Sequence, residues 1–252
     1  MREFFLNMNE FFIRFEFLNM LYMVSVILTF YILLLIIKNR KRISNLEIKK
    51  KKQIRMIFGC ILVLFYILRR GTFIYYEVYN WKYHLDLGFC NMTNMLFIIY
   101  CFTGSKKLYN ICYYCAFCGP LLSIIFPVIN ISINNFSFIN FIMIHHVLFL
   151  MNLIFAIFEN HHFDKKNFTI TCIFLLVYLL FCYIFNIFFN TNYNFLNQLV
   201  ISSWQYNVVV QFIIKNKFLN YIILVILGII MSSFGVYILK MLDLSLIREQ
   251  KN

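Results

Sequence analysis

Residues Leu87–Phe102 read LGFCNMTNMLFIIYCF. The run is apolar enough to enter a bilayer, yet Cys90, Asn91, Thr93 and Asn94 put a thiol, two amides and a hydroxyl within five positions. Working outward, comparable apolar runs recur from residue 17 to residue 242, separated by short charged segments. One of them, Ser137–Phe158, holds the adjacent pair His145-His146. A thiol on one membrane helix and an imidazole on another are the chemically loaded features of the chain.

The composition fits that frame. Of 252 residues, 62% are hydrophobic and only 13% charged, whereas a soluble domain is nearer half apolar and a quarter charged. Two prolines and seven glycines leave little room for linkers or a hinged second domain. The net charge of +13 lies between the apolar runs, which points to topology and lipid headgroups instead of nucleic acid. Eight cysteines, mostly inside apolar runs, behave as small hydrophobes and do not form a disulfide framework.

The expected organisation has three parts. Residues 1–16 space Glu3, Asn7, Glu10 and Arg14 by three and four, with phenylalanines between, the pattern of an amphipathic helix lying in the interface. Residues 17–242 hold about seven spans of roughly 20 residues each. Residues 243–252 form a short charged tail. The fold class is therefore all-α, a polytopic transmembrane bundle, because backbone groups in hydrocarbon pair within their own segment and the runs are too long for barrel strands.

Charge orients it. Lys38–Arg55 carries nine Lys or Arg against Glu47 alone. That segment reads either as a nucleic-acid or anionic-lipid patch or, the favoured reading, as a cytosolic loop obeying the positive-inside rule. With seven spans, 16 of the 23 basic residues fall on the side of the C-terminus. The C-terminus is thus expected in the cytosol and the N-terminus outside or in a lumen. Asn130 and Asn135 then open Asn-x-Ser sequons on an outer loop, acceptors if that loop faces a secretory lumen.

Two constellations bear on chemistry. Cys90 lies about five residues into its span and His145 about eight, and both spans run inward from the outer face, so their depths differ by about 5 Å. A neighbouring imidazole activates a thiol as nucleophile; chance pairing among eight cysteines and five histidines is the bland alternative. Cys112, Cys115 and Cys118 have metal-like spacing, but a helix turns them around its axis with no completing ligand, so packing is expected and no metal or cofactor is implied. Arg69-Arg70 falls inside the second span with Glu77 and Asp86 as candidate partners. Asn91, Asn94, Asn140, Asn152 and Asn186 read first as helix-to-helix glue.

The order of these features resembles the YwaF-like integral membrane proteins, whose animal relatives include a transmembrane acyltransferase acting on ether phospholipids. A Leu-Pro-Leu-His-Leu-Cys-Asp box opens the third span in that family, and Leu85–Asn91 is similar, with Gly88 in place of the histidine and Asn91 in place of the aspartate. Gly119, Pro127, the phenylalanine-rich approach to His145, and Asn186, Asn192, Tyr193 and Leu196 match further elements in order. The resemblance implies a lipid-facing site in which Cys90 carries an acyl chain as a thioester and His145 is the base. His146, Asn91, Asn94, Asn186, Asn192 and Tyr193 would support it. The partners would be phospholipid and lysophospholipid. The alternative is a non-enzymatic membrane component, either transporter-like or a structural subunit.

Overall fold

A computed structural model describes residues 15–77, 79–125, 136–196 and 216–250 of the chain, with helices and turns and no strand among them. The helices are α1 Phe15–Lys38, α2 Arg40–Ser44, α3 Ile48–Tyr75, α4 Trp81–His84 and α5 Phe89–Thr103. They continue with α6 Lys106–Ile125, α7 running from Phe136 to Phe158, α8 Lys165–Phe189 and α9 Lys217–Gln250. The interfacial helix expected over residues 1–16 and both sequons lie outside the described residues, apart from the start of α1.

Five helices, α3, α6, α7, α8 and α9, are long and apolar enough to cross a membrane. The helix carrying Cys90 is shorter than its expected span: fifteen residues rise only about 22 Å, less than the roughly 30 Å of hydrocarbon. The basic segment after α1 is not a loop. α2 and the first turns of α3 take up most of Lys38–Arg55. At the other end of the chain, α9 runs through residue 242 without a break as far as Gln250.

Polar residues in the short connections end and start the helices. Gly104 closes α5 in the left-handed region at φ 65°, and Ser105 then opens α6 by accepting a hydrogen bond from the Leu108 amide. Asp164 caps α8 by accepting from the Lys166 amide, and Asn190 ends it at φ 52°. Side-chain acceptors for orphan amides and left-handed C-terminal residues are the usual solutions at these positions.

α6 is the central helix, with two-thirds of its span buried against about a fifth for α3, α8 and α9. Its tyrosines explain why. Tyr109, Tyr113 and Tyr114 are fully enclosed and touch ring to ring in sequence, and Tyr109 also meets Phe97 and Tyr100 of α5. Two of the three hydroxyls find acceptors: Tyr109 donates to the Asn152 carbonyl at 2.6 Å and Tyr113 to the Gly235 carbonyl at 3.0 Å, while the Tyr114 hydroxyl is buried without a partner among the described residues. The outward faces of α1, α3, α8 and α9 expose Ile27, Leu34, Ile67, Val177, Phe188 and Ile230, the inside-out pattern of a bundle bathed in lipid.

Candidate functional site

Cys90 is the second residue of α5, and that helix start is built in an unusual way. Gly88, its N-cap, has no side chain to accept from the first amides. The acceptor comes from 105 residues away: Asn194 Oδ1 takes the Phe89 N–H at 2.5 Å, while its Nδ2 donates to the Leu87 carbonyl at 3.0 Å. The Tyr178 hydroxyl donates to the same Leu87 carbonyl at 2.9 Å. Tyr193 Oη accepts from the Leu85 amide at 2.9 Å and donates to the Trp81 carbonyl at 3.2 Å. Asn186 in turn holds the loop: its Oδ1 accepts from Thr191 and from the Tyr193 amide, and its Nδ2 donates to the Tyr193 carbonyl. Asn192 opens the Tyr193–Phe195 turn. Tyr193 and Asn194, on a loop that Asn186 holds in shape, thus clamp residues 85–89, one step removed from the thiol.

Two π-turns face this helix start. The first, Phe117–Leu121, contains Pro120, which has no N–H to continue an α-helical ladder. The second, Met143–Val147, holds both histidines. The two π-turns pack on each other and both pack on α5; such turns are often found at functional sites. Gly119 permits the closeness, since a Cβ there would lie 2.8 Å from the Phe89 ring and 3.4 Å from Cys90 Sγ. One helical turn on, Ser123 Oγ sits 3.3 Å from Cys90 Sγ.

The histidines carry assignable tautomers. His145 Nδ1 is 2.8 Å from the Phe141 carbonyl; a carbonyl only accepts, so Nδ1 holds the hydrogen and Nε2 keeps the basic lone pair. Thr29 gives the Ser25 carbonyl its only hydroxyl hydrogen at 2.8 Å, so at 2.7 Å it accepts from His146 Nδ1. His146 Nε2 is therefore also a bare acceptor, buried without a partner among the described residues. Cys90 and His145 occupy contacting elements but do not hydrogen-bond each other: the thiol is on Ser123 and the imidazole on Phe141.

Charge enters through the end of α3. Arg70 pairs with the Asp86 carboxylate and donates to the His84 carbonyl. Arg69 donates to Asn91 Oδ1 at 2.9 Å and lies over the Phe73 ring. Its guanidinium is within electrostatic reach of both the Cys90 sulfur and the His145 ring. Between the helices, His84 is held below its usual pKa by burial and then by the two arginines, and its Nδ1 accepts the Asn80 amide at 2.8 Å.

The other sequence candidates fall into place around this centre. Asn91 holds Arg69. Asn94, one turn beyond Cys90 on the same helix face, is buried with its carboxamide oxygen unpartnered among the described residues. Asn152 is glue, accepting from Tyr109 and donating to the Tyr113 carbonyl. Cys118 donates to the Gly228 carbonyl at 3.1 Å and meets Ser232 Oγ at 2.9 Å, and no metal-holding cluster forms among the described residues. Sequence reasoning missed Ser123, Asn194 and Thr29. A serine within an apolar run and an asparagine in an Asn-rich loop carry no periodic signal, and only the fold shows what they touch.

A model of the TMEM164 family matches residues 12–214. The chain belongs to that family. The matched stretch includes Cys90, Ser123, His145 and the Asn186–Asn194 clamp, and stops just short of α9. As a family member this is a membrane protein of several apolar helices. Neither a curated protein nor a solved structure matches the chain.

Proposed function

We propose that the protein transfers acyl chains between membrane lipids through a thioester on Cys90. The observation that carries this reading is the placement of Cys90 in the first turn of α5, 3.3 Å from Ser123, where the histidine-bearing π-turn packs against the same helix. The amides of a helix's first turn lack intrahelical acceptors. With Phe89 taken by Asn194 and Met92 by Gly88, those of Cys90 and Asn91 remain at the sulfur's own position. A helix N-terminus favours a thiolate, and the same amides suit the oxyanion that forms when the thiolate adds to an ester carbonyl.

The steps balance without a cofactor. The Cys90 proton passes to His145 Nε2, directly or through the Ser123 hydroxyl, and the sulfur attacks the carbonyl of a phospholipid ester. The C–O bond breaks, and the departing glycerol oxygen takes the proton held on His145, leaving a thioester and a lysophospholipid. The hydroxyl of a second lysophospholipid then reverses the sequence. The resemblance of Leu85–Asn91 to the YwaF-like cysteine box supports this assignment of Cys90. In the accompanying topology the chain crosses seven times, α1 and α5 included, with the N-terminus outside or lumenal and the C-terminus in the cytosol.

The test is acylation of purified protein by a labelled phospholipid donor in lipid–detergent micelles. Wild type is expected to acquire a hydroxylamine-labile label on Cys90, absent from Cys90→Ser. Loss of base assistance in His145→Ala is expected to slow labelling by about 10²–10⁴-fold. Equal labelling of all three proteins, or of none, would sink the enzymatic reading and leave a non-enzymatic membrane component.

A further inference from the structure

Arg69 and Arg70 are adjacent, so their side chains leave α3 about 100° apart and meet different neighbours. Arg70 is neutralised by Asp86, in a pair whose side chains are only 17% and 20% exposed. Arg69 is not. Its hydrogen bond goes to a neutral carboxamide, Asn91 Oδ1, and it makes no ion pair among the described residues. A guanidinium presents five donors in a rigid fork, and this one uses one of them on Asn91. Arg69 also lies six residues, about 9 Å, inside the end of α3, within a helix long and apolar enough to cross a membrane. Asp86 reaches Arg69 only through space, so the two guanidiniums share one carboxylate and a net positive charge remains; such a charge in an apolar span is costly and marks a functional position by default.

The position of that charge gives it a substrate. Arg69 grips the residue that follows Cys90, at the end of the bundle where α5 begins and α3 finishes. In a glycerophospholipid the phosphodiester and the nearer acyl ester sit on adjacent glycerol carbons, so an anion held at Arg69 sets that ester beside the Cys90 sulfur. Guanidinium and phosphate match as bidentate partners. We propose that Arg69 binds the phosphodiester of the lipid and so restricts the site to phospholipids over neutral glycerides. Binding of the headgroup stands on Arg69 alone; delivery of the ester to Cys90 rests on the acyl-transfer reading above.

The two are separable by experiment. Lipid retention is measured by native mass spectrometry on the full-length protein carrying Cys90→Ser, which removes acylation from the binding test. Lysophosphatidylcholine is compared with a monoacylglycerol of the same chain. Arg69→Gln is expected to weaken lysophosphatidylcholine about tenfold and leave the monoacylglycerol unchanged, with Arg69→Lys intermediate because it keeps the charge and loses the fork. Unchanged lysophosphatidylcholine binding in Arg69→Gln overturns the proposal. So does equal loss of both lipids in the Gln and Lys variants, which would make Arg69 a packing residue. Inorganic phosphate is expected not to displace the lipid at matched concentration; if it does, the site is one for free phosphate and the lipid assignment falls. On the Cys90-containing protein, Arg69→Gln is expected to lose thioester formation from a phospholipid about tenfold and keep it from a phosphate-free activated acyl ester. If neither donor labels wild type, the acyl-transfer reading fails while the headgroup site is still judged by the binding data.

Discussion

The long-range cap on α5 makes the sharpest prediction. Asn194 sits at φ 57°, a conformation glycine adopts freely, so Asn194→Gly removes the carboxamide without straining the loop. Two hydrogen bonds disappear, one from the Phe89 amide at 2.5 Å and one to the Leu87 carbonyl at 3.0 Å. Partly buried hydrogen bonds are worth about 1 kcal/mol each, so local opening of the α5 start becomes easier by about 2 kcal/mol. A change of that size speeds exchange of the freed amide by about 30-fold. Hydrogen–deuterium exchange of the detergent-solubilised protein, followed on peptides covering residues 85–92, measures it. The α6 core around Tyr109 and Tyr113 touches none of these groups and is expected to keep its protection. Exchange at Phe89 within twofold of wild type would show that Asn194 does not hold the helix start, and with it the clamp would fall.

Three further outcomes follow from the packing. A Cβ at Gly59 would stand 2.7 Å from Cys101 Cβ, whereas one at Gly71 meets nothing within 4 Å. Gly59→Ala is therefore expected to destabilise by about 1–3 kcal/mol as overpacking, and Gly71→Ala to be neutral or up to about 1 kcal/mol stabilising; matching thermal midpoints for the two variants would contradict the α3–α5 approach. His161, in the connection before α8, is buried among Tyr109, Tyr113 and Tyr114 with Nε2 unpartnered among the described residues, and burial followed by its neighbour His162 pushes its pKa down to about 4. Because the folded value lies below the unfolded one of about 6.5, the unfolded chain binds the extra proton first. Stability is then complete above pH 6.5 and falls by up to about 3 kcal/mol as the pH drops toward 4; unfolding midpoints across that window should flatten in His161→Phe, and an unchanged slope there would refute the assignment. Tyr100→Phe deletes the hydroxyl that donates to Glu159 at 2.8 Å, beside the Arg55–Glu159 pair, and is expected to cost about 1 kcal/mol in the same unfolding assay.

The class of the protein was legible because it depends on amounts: long apolar runs, basic segments between them, and backbone groups that hydrocarbon forces into helices. Cys90, Asn186 and Tyr193 were legible as polar residues set in or beside such runs. What they do was not. Asn186 and Tyr193 were read as support for the thiol; Tyr193 accepts from the Leu85 amide, and Asn186 fixes the loop that carries Tyr193. The basic run after α1 looked like a loop because charge hides helical propensity, yet lysines are good helix formers and α3 begins among them.

The sequence by itself determined that this chain is an all-helical membrane protein with a thiol near the start of one helix and a histidine pair inside another. Tertiary structure alone decided which groups meet: Ser123 with Cys90, Asn194 with the Phe89 amide, Thr29 with His146, and Arg69 with Asn91. Periodicity and charge act within about one helical turn and can be read along the chain. Partners lying 22 to 117 positions apart are selected by how the helices pack, by where π-turns rotate a side chain, and by a glycine that lets two backbones approach.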